Sequence, residues 1–193
     1  MRKMPDKRQR RVTKDGLIYK ASQQKKTKHV LDEKLKEENM WVHYVLQSLL
    51  ATFSIFIVLV ALINTPVIVA ALGSTAFIVF AMPKNITAQP RNVLGGHVVG
   101  IISGSACVSM LLLLGNDSDF LLILAASISV GLSIFIMVVT DTEHPPAGST
   151  ALGLVIHAAT PWDLITYAGF ILFSAFIITS VKHVLNPRLR DLV

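Results

Sequence analysis

Residues 93–114 read VLGGHVVGIISGSACVSMLLLL and contain no Asp, Glu, Lys or Arg. As an α-helix this stretch would be about 33 Å long, enough to cross the roughly 30 Å hydrocarbon core of a bilayer. Comparable apolar runs flank it, at about 43–63, 65–82, 120–140, 145–160 and 162–184. The sequence therefore predicts an all-α fold, a polytopic membrane helix bundle of about six spans.

Charged side chains are scarce and unevenly distributed. The chain has 193 residues, of which 52% are hydrophobic and 16% charged, whereas soluble domains carry about 25% charged residues. Residues 1–39 hold 13 of the 18 Lys and Arg and 6 of the 12 Asp and Glu. We therefore predict a basic cytoplasmic tail with a juxtamembrane helix over 1–39. A transmembrane domain should follow over 40–187, and a short cytoplasmic carboxyl terminus over 188–193.

The basic tail predicts both a partner and an orientation. Residues 1–28 should contact anionic lipid headgroups, and positive charge favours the cytoplasmic side of a multi-pass protein of the cell (inner) membrane. Six crossings place both termini and the loop with Lys84 and Arg91 in the cytoplasm. The fifth run, 145–160, is short, so five spans with a re-entrant hairpin is the alternative. No aromatic–basic pattern accompanies the charge, and nucleic acid is not an expected partner.

A four-residue repeat occurs in the two runs that carry prolines at their start. Gly73–Ser74–Thr75–Ala76 recurs as Gly148–Ser149–Thr150–Ala151, after Pro66 in one case and Pro145–Pro146 in the other. These residues predict two broken helices. Each half then reads long span, broken span, long span, which predicts the inverted three-plus-three repeat of many transporters.

Broken helices of this kind favour a site for a small anion. A helix that starts inside the membrane directs unpaired N–H groups and the positive end of its dipole at the site, and hydroxyls add donors. Because the interior has almost no lysine, such a site would depend mainly on helix ends and hydroxyls. The predicted substrate-binding residues are Gly73, Ser74, Thr75, His144, Gly148, Ser149 and Thr150.

Ionisable residues near these runs are candidates for a pore or a proton relay. His97 lies one to two turns inside the third run, and an ionisable residue within the membrane is a functional candidate. Arg91 stands at the start of that run, and Asp141 and Glu143 border His144. Helix packing for His97 and a capped cytoplasmic loop for Asp141 and Glu143 are the alternatives.

Two motifs resemble a known family. His144-Pro145-Pro146-Ala147-Gly148, continued by Ser149-Thr150-Ala151, is similar to the signature of the HPP family of integral membrane proteins. The segment from Gln89 to His97, QPRNVLGGH, also resembles that family. The resemblance covers about 43–185 and implies a small multi-span membrane protein. It also implies transport of nitrite, with which a plant chloroplast member and cyanobacterial relatives are associated.

The sequence leaves several functions open, and a transporter or channel for a small inorganic anion, with nitrite as leading candidate, is favoured. The alternative is a transition-metal or cation-binding membrane protein using His97, His144, Asp141 and Glu143. An enzyme is not expected, since Ser149 lies in no nucleophile elbow. No cofactor motif occurs, and no resident metal is expected. The small face of Gly96, Gly100 and Gly104 predicts close helix packing, within the chain or in a homo-oligomer.

Overall fold

The computed structural model describes residues 40–60, 65–115, 118–185 and 189–192, and all regular structure in these ranges is helical. The predicted tail and juxtamembrane helix over 1–39 lie outside the described residues. The chain divides into two units, 1–42 and 43–193, and the helix contacts described below lie within the second. The α-helices are α1 (Met40–Val60), α2 (Pro66–Ala81), α3 (Pro90–Leu114), α4 (Asp119–Thr140), α5 (Pro146–His157) and α6 (Pro161–Leu185). A 3₁₀ turn, Ile86–Ala88, precedes α3.

Prolines and left-handed residues set the helix boundaries. A proline begins α2, α3, α5 and α6, where its fixed φ suits the first turn and its missing N–H costs no hydrogen bond. Gly115, with φ of 83°, follows α3, and Asp141, with φ of 54°, follows α4. A residue in this conformation cannot continue a helix. The ends of the spans are therefore encoded locally.

The predicted polytopic helical bundle is confirmed. Four helices, α1, α3, α4 and α6, are long and apolar enough to cross a membrane, while α2 has 16 residues and α5 has 12. The two short helices are those that carry the Gly-Ser-Thr-Ala repeat. A 12-residue helix is about 18 Å long, so α5 needs the flanking loops to cover a bilayer.

The first four helices alternate in direction. Gln47 of α1 donates to the Phe80 carbonyl near the end of α2, and Val58 shares a packed cluster with Ile68 near its start. In the same way Leu111 of α3 packs with residues early in α4, whereas Val99 packs with residues late in it. Each pair therefore runs antiparallel.

Helix α5 runs parallel to α3. Gly96 of α3 lies against His144, and Gly104 lies against Leu154. Beyond α5, Ala158 joins the cluster that holds Leu111, near the end of α3. The chain thus advances along most of the length of α3 before α6 begins. Helix α5 is packed against α2, α3, α4 and α6, and most of its residues are buried.

The small face of α3 is used inside the chain. A Cβ added at Gly96 would lie 2.6 Å from the His144 Cβ, and one at Gly104 would lie 2.8 Å from the Ala151 carbonyl oxygen. A Cβ at Gly100 would collide with the Ala147 carbonyl oxygen. These glycines let α3 and α5 approach closely. Of the two alternatives for this face, the structure shows packing within the chain, because α5 lies against all three glycines.

The predicted break at Gly73 is also corrected. Helix α2 continues without interruption through Gly73, Ser74 and Thr75. A glycine in a helix interior costs about 1 kcal/mol relative to alanine. In hydrocarbon, no water replaces a lost backbone hydrogen bond, so opening the helix would cost more. In the second copy, α5 begins at Pro146, two residues before Gly148.

The carboxyl-terminal residues 189–192 pack against the end of α2. Leu192 N donates to the Ala81 carbonyl at 2.8 Å, and Asp191 Oδ1 accepts from Lys84 N at 2.9 Å. Gln47 Nε2 also donates to the Arg190 carbonyl at 2.9 Å. Gln47 of α1, the end of α2 and this segment therefore lie at one end of the bundle.

Replacing Gly100 with alanine should destabilise the bundle, because the added methyl collides with the α5 backbone. Overpacking of this kind costs about 1–3 kcal/mol, so the thermal unfolding midpoint of the detergent-purified protein should fall. Gly131→Ala on α4 is the matched control, since no described atom lies within 4 Å of its added Cβ. Equal midpoints for the two variants would contradict the packing of α3 on α5.

Candidate functional site

Four polar side chains meet in the middle of the bundle. We call Thr75, His97, His144 and Thr150 the polar cluster, and each of these residues has 0% of its surface exposed. They come from α2, α3, the loop before α5, and α5. All four are among the residues predicted from the sequence.

The Thr75 hydroxyl joins the two imidazoles. Its Oγ1 lies 3.0 Å from His97 Nε2 and 3.0 Å from His144 Nε2. The rings have centroids 5.1 Å apart and are inclined at 62°. On the other side of His97, Nδ1 lies 2.9 Å from the Thr150 Oγ1. All four imidazole nitrogens are used, because His144 Nδ1 donates to the Thr87 carbonyl oxygen at 2.8 Å.

The start of α3 holds the loop that carries His144. Asn92 Nδ2 donates to the Glu143 carbonyl at 3.3 Å. Arg91 donates to the Thr140 carbonyl at 3.2 Å and pairs with Asp141 at 3.2 Å. Both side chains of that ion pair are about two-thirds exposed (67% and 68%), so it orients the loop more than it stabilises the fold.

The 3₁₀ turn closes one side of the cluster. The Asn85 side chain accepts from Thr87 N at 3.0 Å and so fixes the turn. The Thr87 carbonyl accepts from His144, and the next carbonyl, of Ala88, accepts from Lys182 Nζ at 2.6 Å. Lys182 is only 4% exposed. Helix α6 therefore carries this side chain into the bundle.

A groove of about 410 Å³ between α4 and α5 reaches the cluster. Most of its lining is apolar, and its polar residues are Glu143, His144 and Ser149. Within the described ranges, the Ser149 hydroxyl has no hydrogen-bond partner. The groove therefore combines a free hydroxyl with one of the two buried imidazoles.

The remaining predicted residues lie away from the cluster. Ser74 is exposed and donates to the carbonyl of Ala70, and Gly73 faces Ile55 of α1. Gly148 is buried against α4, next to Val130. Arg91 and Asp141 lie at the surface. Of the residues in the Gly-Ser-Thr-Ala repeat, only Thr75 and Thr150 form hydrogen bonds to the two histidines among the described contacts.

The first amide groups of α5 are already paired. Ala147 N donates to the His144 carbonyl at 2.8 Å, and Gly148 N donates to the Pro145 carbonyl at 3.1 Å. Pro145 and Pro146 have no N–H to offer. The prediction that the backbone N–H of Gly148 binds an anion is therefore corrected, because that N–H already donates to a carbonyl. Hydrogen-bond donors to an anion at this place would have to come from side chains.

The four residues of the metal alternative do not form one set of ligands. His97 and His144 are adjacent, but Asp141 pairs with Arg91 at the surface. Among the described residues, no group of three His, Cys, Asp or Glu side chains could hold a metal ion.

Comparison with known proteins identifies the family. A family model described as "HPP, transmembrane region" matches residues 35–190. Two transmembrane proteins of Dictyostelium discoideum are similar, at 35% identity over 96 residues and 32% identity over 99 residues, about half of this chain in each case. The matches span 32% and 30% of those longer proteins. No solved structure matches significantly. The match to the family model covers most of the chain, including both quoted motifs and the whole polar cluster. The chain therefore belongs to the HPP transmembrane family.

Proposed function

We propose that the protein is a membrane transporter or channel for a small inorganic anion, with nitrite as the leading candidate. The anion would use the groove between α4 and α5 and the polar cluster beside it. No cofactor and no catalytic residue enters this proposal. Its binding group in the groove is the Ser149 hydroxyl, and the buried ring of His144 lies beside it.

The observation that carries the proposal is that the buried polar side chains include hydrogen-bond donors and no carboxylates. Among the described residues, no Asp or Glu side chain is buried, whereas His97, His144 and Lys182 are. Hydroxyls of Ser and Thr supply most of the other buried polar groups. An interior with hydroxyl donors and without carboxylates favours an anion over a cation, because hydroxyls can donate to an anion and no buried carboxylate could balance the charge of a cation.

The groove supports a small substrate. Its polar lining residues are Glu143, His144 and Ser149, so a compact anion could exchange part of its water there for the Ser149 hydroxyl, next to the His144 ring. The free Ser149 hydroxyl needs no other bond to be broken before it donates. Nitrite fits this chemistry, and nitrate, chloride and formate are the comparison substrates.

The inverted three-plus-three repeat also belongs to the proposal. Thr75 and Thr150 hold equivalent places in the two copies, and they bond to opposite nitrogens of His97. Helices α2 and α5 run antiparallel, because Ile68 lies beside Gly153 while Thr75 bonds to His144. Both features support two halves related by inversion around a central site.

We further propose that both termini face the cytoplasm in the cell (inner) membrane. The support is the excess of Lys and Arg in residues 1–39. In addition, six helices are an even number, and an even number of crossings would return the chain to the side on which it began. The same charges support contact of residues 1–28 with anionic lipid headgroups.

Flux into proteoliposomes tests the proposal. Purified protein should carry nitrite down its gradient faster than protein-free vesicles do, and a panel with nitrate, chloride and formate should rank the substrates. Flux equal to that of protein-free vesicles for all four anions would overturn the proposed function.

Ser149→Ala should weaken the site without harming the fold. Loss of one hydrogen bond to a charged ligand costs about 1.5–3 kcal/mol, so the half-saturating nitrite concentration should rise by about tenfold or more. Ser127→Ala on α4 is the matched control, because Ser127 is exposed and bonds only to the Ile123 carbonyl. Unchanged saturation in both variants would exclude Ser149 from the site.

A further inference from the structure

One lysine side chain is buried at the end of the bundle where residues 189–192 pack. Lys182, on α6, is 4% exposed, and it is the only Lys or Arg side chain buried among the described residues. An ammonium group has three N–H donors. The described contacts use one of them, in a 2.6 Å bond to the Ala88 carbonyl. A charge in such a place is costly unless a negative group and further acceptors accompany it.

The negative group that accompanies Lys182 is the carboxylate of Asp191. Its charge attracts that of Lys182, while its Oδ1 accepts from Lys84 N at 2.9 Å. No carboxylate among the described residues is close enough to Lys182 to form an ion pair with it. Asp191 therefore offsets the buried charge from a distance, and the other ammonium donors have no acceptor among the described contacts.

The backbone holds the Asp191 carboxylate in this position. On one side, the Arg190 carbonyl accepts from Gln47 Nε2 at 2.9 Å. On the other side, Leu192 N donates to the Ala81 carbonyl at 2.8 Å. Because both neighbours of Asp191 are bonded to the helices, its short side chain cannot advance to the ammonium group without breaking these bonds.

A carboxylate resembles the small anions of the proposed function. Nitrite and formate, like the carboxyl group of Asp191, carry two oxygens on one central atom and share a single negative charge between them. A free anion of this shape has no backbone to restrain it. It could therefore accept from the Lys84 N–H and from the unused donors of Lys182 together, and hydrogen bonds to a charged group are the stronger ones.

We propose that Lys182 and the backbone N–H of Lys84 form a second anion site, and that the Asp191 carboxylate is a tethered competitor that occupies it. The site takes small anions with two oxygens, such as nitrite and formate. This class of ligand comes from the proposed function, but binding at Lys182 does not require that the protein transports the anion.

The charges around the site favour an anion. Residues 82–92, which connect α2 to α3, include Lys84 and Arg91 and contain no Asp or Glu. The side chain of Arg190 is exposed at the same end of the bundle. Positive charge around a site raises the local concentration of anions. Asp191 is thus the one described carboxylate of this segment that an incoming anion has to displace.

The second site is distinct from the polar cluster, although one 3₁₀ turn contacts both. The Ala88 carbonyl of that turn accepts from Lys182, and the Thr87 carbonyl accepts from His144. The two sites share no side chain. Binding at each of them can therefore be followed separately.

The nitrogen-15 NMR signal of the Lys182 ammonium in the purified protein gives a direct readout. A buried ammonium is shielded from water and exchanges its protons slowly, so that its Nζ resonance can be observed. Lys182→Met and Lys182→Arg both identify the resonance by its absence, and the arginine variant keeps the charge. Nitrite and formate are the ligands titrated.

Two matched variants separate competition from a general loss of charge. Asp191→Asn removes the competing charge, while its amide oxygen can still accept from Lys84 N. Asp163→Asn is the control, because Asp163 lies in the first turn of α6, whereas Lys182 lies in the last. The Asp163 carboxylate likewise accepts from a backbone N–H, that of Thr160 at 2.8 Å.

Nitrite and formate should shift the Lys182 resonance saturably in the wild type. In Asp191→Asn the half-saturating concentration should fall by about tenfold, because the opposing charge is gone. Asp163→Asn and Ser149→Ala should behave as the wild type does. A Lys182 resonance that responds to neither anion in Asp191→Asn would overturn the second site. Equal half-saturating concentrations in the wild type and Asp191→Asn would overturn the competition.

Failure of the second site and failure of the proposed function give different results. A saturable response at Lys182 in a protein whose flux equals that of protein-free vesicles would overturn the proposed function and support the second site. Protein-dependent nitrite flux with no response at Lys182 would overturn the second site and support the proposed function. A response that Ser149→Ala abolishes would overturn the separation of the two sites.

Discussion

The bond of one threonine hydroxyl to two buried imidazoles is the contact on which the rest of the bundle depends. Thr75 can reach both His97 and His144 only because α2, α3 and α5 converge closely. Glycines on α3 permit that approach, and no water in the hydrocarbon could satisfy these groups if the helices moved apart.

Much of this arrangement could be predicted from the sequence. Apolar run length predicted the helices, and prolines predicted the starts of α2 and α5. Thr75, His97, His144 and Thr150 were all candidates, because polar groups in apolar runs are conspicuous. The sequence predicted that backbone N–H groups at two broken helices would bind the anion. The structure differs, because Gly73 does not interrupt its helix and the first amides of α5 are already paired. Whether a glycine opens a helix depends on its neighbours, which a single sequence does not provide.

Other features left no usable signal. The acceptor for His144 is a main-chain carbonyl, that of Thr87, and every residue has one. Lys182 lies close in sequence to the basic carboxyl end, and its burial follows from the path of α6 beside the 3₁₀ turn. Asn92 was likewise unremarkable until α3 brought it to the Glu143 carbonyl. These contacts join segments far apart in sequence, so only the three-dimensional packing reveals them.

The central claim is that a small anion binds beside His144. The most direct test is titration of nitrite into the purified, nitrogen-15 histidine-labelled protein while the His144 ring resonances are followed. The account predicts saturable shifts at His144 that are weakened by Ser149→Ala and unchanged by Ser127→Ala. Ring resonances that do not respond to nitrite, nitrate or chloride would contradict it.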